Sequence, residues 1–164
     1  MEKKLEEIIN KFANWLHATN YTSYDQYDFW STLYGKWSKK KYYKNKKIGT
    51  SLVAPIFLLE LIFPSSRKLF VPKRRFPIAD AHLLMGYLNL YNIYNKQEYL
   101  DTAKIIYNDL LKQSIKGYRG LCWGYPFDWQ TNRGLWTKDL PLITSTPYIF
   151  ESFLYLFDAT KEQK

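Results

Sequence analysis

Apolar residues recur every three to four positions over much of this chain, which is the spacing of an amphipathic α-helix. In the first such stretch Leu5, Ile8 and Phe12 fall on one face, and Trp15 and Leu16 extend it. No β-hairpin signal competes with this pattern. The sequence therefore predicts an all-α protein, with helices near residues 2–18, 50–63, 80–94, 98–113 and 147–160.

Cap residues mark where three of these helices should begin. Asp80 is the predicted N-cap of the third helix. Thr146 is the predicted N-cap of the fifth, with Pro147 at the first helical position, where proline is preferred. Thr50 or Ser51 is the candidate N-cap of the second. These starts support the helix assignment independently of the apolar spacing.

Two long segments, residues 19–47 and 115–145, separate the predicted helices and are expected to be irregular. Within the second, residues 131–140 are too mixed to assign. Ordered loops of this length in a compact domain often carry function. Both segments are therefore places to look for a site.

The third and fifth predicted helices follow one pattern at an offset of 66 residues, the separation of Asp80 and Thr146. The polar exit turns align as well as the starts. Repeats of helix, turn, helix and loop stack against one another to bury their faces. The aligned apolar pairs are Leu83 and Ile149, Leu84 and Phe150, Tyr87 and Phe153, Leu88 and Leu154, and Tyr91 and Phe157.

The second copy reaches Lys164, opposite Glu98, one residue before its next helix should start. We therefore expect the chain to be the N-terminal portion of a longer protein. It should expose apolar surface where the missing C-terminal portion would dock, and that surface should otherwise drive self-association. A genuine C-terminus with a polar tail is the alternative interpretation.

Length and composition predict one globular domain over residues 1–164. Hydrophobic residues make up 46% of the chain and aromatic residues 19%, which argues against disorder. The net charge of +9 comes largely from two clusters. Basic residues among tyrosines suit an acidic glycan, an anionic membrane or nucleic acid, or form a solvated loop. No nucleic-acid-binding motif is present, so nucleic acid is disfavoured. The clusters are Lys36, Lys39, Lys40, Lys41, Lys44, Lys46 and Lys47, and Arg67, Lys68, Lys73, Arg74 and Arg75.

Cysteine content and hydropathy indicate a cytoplasmic location. Cys122 is the only cysteine, so no disulfide forms within the chain, and a packed thiol is expected. No secretory signal is visible at the N-terminus. The most apolar stretch, residues 48–63, is short for a transmembrane helix and is predicted to be a buried helix. Its basic flank leaves peripheral membrane contact as an alternative.

The most informative segment is residues 120–129, Gly-Leu-Cys-Trp-Gly-Tyr-Pro-Phe-Asp-Trp. Its glycines and proline predict an ordered loop rather than a helix or strand. Aromatic rings can stack on the C–H faces of a sugar, and a carboxylate can accept hydroxyl hydrogen bonds or move a proton. The segment therefore predicts a sugar-binding cleft or, alternatively, an aromatic plug between helices. The predicted ligand-contacting rings are Trp123, Tyr125 and Trp129.

The motif order resembles proteins of the α/α-toroid (six-hairpin) class that accompany capsule and surface-polysaccharide biosynthesis. The resemblance rests on Tyr99-Leu100, the segment 117–130, Thr146-Pro147-Tyr148, and the stretch 21–28, where Gln26 replaces a proline. It implies a ring of paired helices with an active-site cleft at one end of the inner helices. The class includes glycosidases, polysaccharide lyases, sugar epimerases and terpenoid cyclases.

Three carboxylates lie in the aromatic loops, and partial burial could raise their pKa values into the range of an acid catalyst. Asp128 and Asp28 are the candidate catalytic pair, and Asp25 is a candidate substrate ligand. A glycosidase needs two such groups facing each other across the scissile bond. The alternative is that these aspartates cap helices or bind loop amides.

Two further side chains are candidates. His82 could act as the base of a lyase or epimerase, or be an ordinary core histidine. Arg133 could bind a substrate carboxylate or phosphate. No phosphate loop, metal-ligand spacing or serine-centred elbow appears, so the sequence predicts no cofactor and no metal.

Three functions remain open from the sequence. The first is a carbohydrate-processing toroid enzyme that is glycosidase-, lyase- or epimerase-like. The second is a non-catalytic protein of the same fold that binds or assembles a glycan. The third is a toroid that handles a prenyl or lipid-linked substrate, and the expected partner in all three cases is a glycan or a lipid-linked sugar.

Overall fold

A computed structural model describes residues 2–25, 27–138 and 140–161, and this part of the chain is mostly helical, as the sequence predicts. One two-stranded hairpin accompanies the helices. The α-helices are α1 (Glu2–Ala18), α2 (Leu33–Lys44), α3 (Lys46–Ile62), α4 (Arg67–Phe70), α5 (Pro77–Tyr94), α6 (Gln97–Lys112) and α7 (Thr146–Thr160).

The chain forms two compact units. The N-terminal unit comprises Met1–Arg75 with Gln130–Gly134, and the C-terminal unit comprises Phe76–Trp129 with Leu135–Lys164. The structure shows that each unit is compact. The single domain over residues 1–164 stays a prediction.

The N-terminal unit is built on a hairpin of α2 and α3. Each helix begins at a side-chain cap. Thr32 Oγ1 accepts the Gly35 N–H at 3.0 Å, and Asn45 Oδ1 accepts the Ile48 N–H at 3.3 Å. α3 therefore starts at Lys46, and the predicted caps Thr50 and Ser51 are wrong. The core consists of Phe29, Trp30, Val53 and Ile56, with Tyr42 and Leu59 packed against it.

The prediction of irregular structure over residues 19–47 is wrong for residues 33–44, which form the helix α2. Its buried positions are Gly35 and Ser38, so it has no apolar stripe to detect. It packs through small residues that let backbones approach closely. A Cβ at Gly49 would overlap the Cα of Tyr42, and one at Gly35 would overlap the Phe29 carbonyl oxygen. The lysines of the first basic cluster consequently lie on helices rather than on a loop.

No single helix among the described residues is long and apolar enough to cross a membrane. One bent pair, Lys46–Ile62 with Pro64–Phe70, meets the length and composition criteria together, with a bend of 107° between its two parts.

In the C-terminal unit α5 packs against both α6 and α7. α5 starts at Pro77, three residues before the predicted cap. Asp80 is not a cap: it is fully buried inside the helix, and its carboxylate accepts a hydrogen bond from Gln113 Nε2 at 2.9 Å. The core side chains with at most 1% exposure are Ala81, Leu84, Leu88, Ala103, Ile106, Leu110 and Ile149.

The structure supports the internal repeat most clearly at the helix ends. α5 ends at Asn95 with φ of 51°, and α7 ends at Lys161 with φ of 54°. Both residues are in the left-handed conformation that terminates helices, and they lie at the same offset as the sequence repeat. The starts do not match, because α7 begins at Thr146 and α5 begins earlier in its own copy.

A short hairpin occupies the segment that the sequence left unassigned. Its strands are β1 (Trp129–Thr131) and β2 (Gly134–Trp136). At the turn, Thr131 Oγ1 accepts the Arg133 N–H at 3.1 Å and donates to the Gly134 carbonyl at 2.9 Å. Gly134 has φ of 130°, which favours glycine, so the turn residues rather than apolar alternation define this hairpin.

Candidate functional site

Residues 120–130, the aromatic loop, lie against the N-terminal end of α7. The Trp123 N–H donates to Thr146 Oγ1 at 3.2 Å, and the Leu142 N–H donates to the Trp123 carbonyl at 2.9 Å. Thr146 therefore ties the loop down, whereas Ser145 is the N-cap residue, so the predicted cap role of Thr146 is wrong. A Cβ at Gly124 would overlap the Leu140 carbonyl oxygen, so the backbone is closely packed here too.

Trp123 belongs to the core of the C-terminal unit. Its side chain is 2% exposed, and its indole N–H donates to the Leu110 carbonyl at 2.7 Å. The ring packs edge-on against Phe153 with centroids 5.7 Å apart. With its faces covered, Trp123 cannot stack on a sugar in this arrangement, and it fits the alternative role of aromatic plug. Cys122 beside it is also buried.

The other rings of the loop form an aromatic row, which comprises Tyr125, Phe127, Trp129 and Trp136. Tyr125 stacks on Phe127 with centroids 5.6 Å apart, and Tyr125 and Trp129 are 5.7 Å apart. Trp129 meets Trp136 of β2 edge-on at 6.1 Å. Phe127 is buried, whereas Tyr125, Trp129 and Trp136 are half-buried, so three neighbouring rings remain accessible to a ligand.

A cavity of about 500 Å³ adjoins the row at Tyr125. Its polar lining comes from Gln113, Ser114, Lys116 and Lys138. Lys116 Nζ donates to Ser114 Oγ at 3.0 Å, and this hydrogen bond positions the lysine ammonium group at the cavity wall. Sequence reasoning missed these residues, because they follow α6 and the hairpin without any motif and only the fold brings them to Tyr125.

Asp128 braces the loop. Its carboxylate Oδ1 accepts the Lys138 N–H at 3.0 Å, and the residue is half-buried. Asp128 does not line the cavity beside Tyr125. The observed contact is the loop-amide role that the sequence analysis left open beside the catalytic one.

Asp28 lies in the N-terminal unit and is 1% exposed. One carboxylate oxygen accepts the Asp25 N–H at 2.6 Å, and the other lies 3.4 Å from the Arg74 guanidinium. Arg74 also donates to Ser31 Oγ at 3.1 Å and pairs with Ser23 through its backbone. Asp28 is the first residue of a short helical turn, and its contact with Arg74 links this turn to a neighbouring extended segment. Because the carboxylate is buried by these contacts, it is not placed to touch a substrate.

Glu60 completes a charge cluster that sequence reasoning missed. Its carboxylate pairs with Arg67 at 3.2 Å, and the Arg67 guanidinium also donates to the Asp25 carbonyl at 3.1 Å. Asp25 turns its own carboxylate to the Tyr27 N–H at 2.8 Å. Burial raises the pKa of Asp28 and the pKa of Glu60, and the adjacent arginines oppose that effect in both.

The raised pKa of Asp28 predicts a specific pH dependence. Since the folded state holds this proton more tightly than the unfolded chain, the stabilising contribution is full below the unfolded pKa and is lost as pH rises through the raised pKa. Relative to Asp28→Asn, the wild type should therefore lose free energy of unfolding as pH rises across that window. Urea denaturation followed by circular dichroism at a series of pH values measures it, and a pH-independent difference would contradict it.

The remaining candidates, His82 and Arg133, belong to different units. His82 is exposed on α5, with its ring 5.4 Å from that of Tyr148 on α7. Arg133 is exposed at the hairpin turn and belongs to the N-terminal unit, as Asp28 does. Asp128, His82 and the aromatic row belong to the C-terminal unit. The predicted catalytic residues are thus divided between the two units.

No group of three or more His, Cys, Asp or Glu side chains placed to hold a metal ion occurs within residues 2–25, 27–138 and 140–161. Comparison of the chain with protein-family models, with curated proteins and with solved structures gave no significant match. The site must therefore be interpreted from its own chemistry.

Proposed function

We propose that the chain binds a carbohydrate along the aromatic row of its C-terminal unit. The observation that carries this proposal is the pair of half-buried rings of Tyr125 and Trp129, 5.7 Å apart. The loop that presents them is fixed through Trp123 and Gly124, so little conformational entropy is lost when a ligand binds. Rigid aromatic faces beside a few placed polar groups are typical of small-ligand sites.

The charge beside the row favours an acidic glycan over a neutral one. Lys116 and Lys138 line the adjoining cavity, and the whole chain carries a net charge of +9. Gln113 and Ser114 add groups that can exchange hydrogen bonds with sugar hydroxyls. A uronate-containing polysaccharide offers both the C–H faces and the carboxylates that this arrangement would recognise.

Binding without turnover is the better supported form of the proposal. A glycosidase needs two carboxylates facing each other across the scissile bond. Asp28 is enclosed in the N-terminal unit, and Asp128 contacts a backbone amide of its own unit. A role beside polysaccharide biosynthesis remains part of the proposal, as does the α/α-toroid, which the α5–α6 hairpin and the repeated exit of α7 support.

Titration with two oligosaccharides tests the proposal. A galacturonate hexamer should bind and change the tryptophan fluorescence, whereas maltohexaose should bind less tightly. Tyr125→Ala or Trp129→Ala should each weaken galacturonate binding about fivefold, since one ring–ligand contact contributes on the order of 1 kcal/mol.

Tyr118→Ala is the matched control, because Tyr118 is 55% exposed and precedes the aromatic loop. Its affinity should equal that of the wild type. Equal losses in the control and the two row variants, or no saturable binding by either sugar, would refute the proposal.

A further inference from the structure

One face of α7 is apolar and uncovered. Phe150, Leu154 and Phe157 follow one another at helical spacing and are 60%, 48% and 37% exposed. The other side of the helix is closed, with Ile149 and Ser152 fully buried. We call the three exposed residues the α7 stripe.

The same face of α5 is covered. The repeat pairs Phe150 with Leu84 and Leu154 with Leu88, and these two leucines are 0% and 1% exposed. α5 and α7 end in the same left-handed conformation at matched positions, so the repeat aligns the backbone at the helix ends. Equivalent positions in the two helices thus differ in burial because they differ in what packs against them.

α6 is one of the two helices that pack against α5, and α7 is the other. α6 begins at Gln97, two residues after the Asn95 cap of α5, and packs back along α5. The rings of Tyr99 on α6 and Tyr87 on α5 are 6.3 Å apart. One side of α6 is buried along the helix, and the other side is mostly polar, with Ile105 exposed on it. Its buried residues are Tyr99, Leu100, Ala103, Ile106 and Leu110.

From this comparison we infer that the α7 stripe is a docking site for one amphipathic α-helix with the pattern of α6, packed antiparallel to α7. The stripe continues an interface that already exists, since neighbouring Phe153 contacts Tyr107 of α6 at 4.7 Å. A groove of about 750 Å³, lined by Leu121, Leu142, Ile143 and Phe150, extends the site beyond the start of α7. A prenyl chain would fill that groove and leave Leu154 and Phe157 exposed, whereas a helix covers both.

The test supplies such a helix in the register that α6 has on α5. A copy of residues 96–113 is fused directly after Lys161, so that it follows the α7 cap as Lys96 follows Asn95. The fusion should raise Tm by roughly 5 °C or more. Binding of an apolar dye to the surface should fall at the same time.

Two variants make the result specific. In the first, serine replaces the copies of Leu100, Ile106 and Leu110 in the fused helix, and the rise in Tm should disappear. In the second, Phe150→Ser should lower Tm in the fusion protein and leave the parent chain nearly unchanged, because Phe150 is exposed there.

Three outcomes would overturn the inference. One is an equal Tm for the fusion and its serine control. Another is an equal effect of Phe150→Ser with and without the fused helix. The last is a dimer of the parent chain that Phe150→Ser dissociates, because a second copy would then be the occupant of the stripe.

Discussion

Replacing Trp123 with alanine should destabilise the C-terminal unit by about 3–5 kcal/mol, which is the usual cost of truncating a fully buried tryptophan. The side chain is 2% exposed and fills the space between α6 and Phe153 of α7. Its indole N–H also pairs with the Leu110 carbonyl, in the last turn of α6, where carbonyls lack a helical partner. Urea denaturation monitored by circular dichroism gives the loss.

Two further variants test separate parts of this prediction. Trp123→Phe distinguishes the loss of packing from the loss of the hydrogen bond, and Trp129→Ala compares a ring of the proposed site with the core tryptophan. Trp123→Phe keeps most of the apolar volume and should cost about 1–3 kcal/mol for the unpaired carbonyl and the residual cavity. Trp129→Ala removes a half-buried ring of the aromatic row and should cost less than Trp123→Ala. If Trp129→Ala destabilised the protein more, Trp129 would be the core residue and the aromatic row would lose its ligand-binding face.

Gly49→Ala should destabilise the N-terminal unit by about 2–3 kcal/mol, although alanine is intrinsically the better helix former. The added Cβ would overlap backbone and Cβ atoms of Tyr42, and backbone cannot rotate away as a side chain can. α2 and α3 would have to separate at their crossing, where Val53 and Ile56 pack on Trp30. Hydrogen exchange of α2 and α3 amides should accelerate, whereas that of α5 and α6 should not.

Gly86 provides a matched control, because Gly→Ala there should change the stability in the opposite direction. It lies inside α5, is exposed, and has open space where a Cβ would be. Gly86→Ala should therefore stabilise the protein by about 0.5–1 kcal/mol, as expected from helix propensity alone. A destabilised Gly86 variant, or a neutral Gly49 variant, would show that the close approach of α2 and α3 is not what constrains Gly49.

The candidate site was only partly predictable from the sequence. The density of rings and turn residues near Trp123 and Trp129 predicted an ordered aromatic loop, and the structure has one against α7. The pattern could not tell which ring faces inward, because burial depends on neighbours such as Leu110 and Phe153 that are distant in sequence. The sequence did not indicate Lys116 and Lys138 as site residues, because only the fold brings them to the cavity beside Tyr125.

Local sequence determined the helices whose apolar residues repeat with the helical period. α1, α6 and α7 lie within two residues of their predicted bounds, and both copies of the repeat end in the same left-handed cap. These features depend on residues within a few turns of each other, so one-dimensional patterns contain them. The sequence repeat also pairs Leu84 with Phe150.

Tertiary structure alone decided the rest. α2 is a helix without an apolar stripe, because Gly35 and Ser38 bring it close to other backbone rather than burying large side chains. Asp80 and Asp28 became buried polar anchors once Gln113 and Arg74 reached them from distant parts of the chain. Phe150 is exposed and Leu84 is buried for the same physical reason: burial is set by which element packs against a position, and the residue's own sequence context does not encode that element.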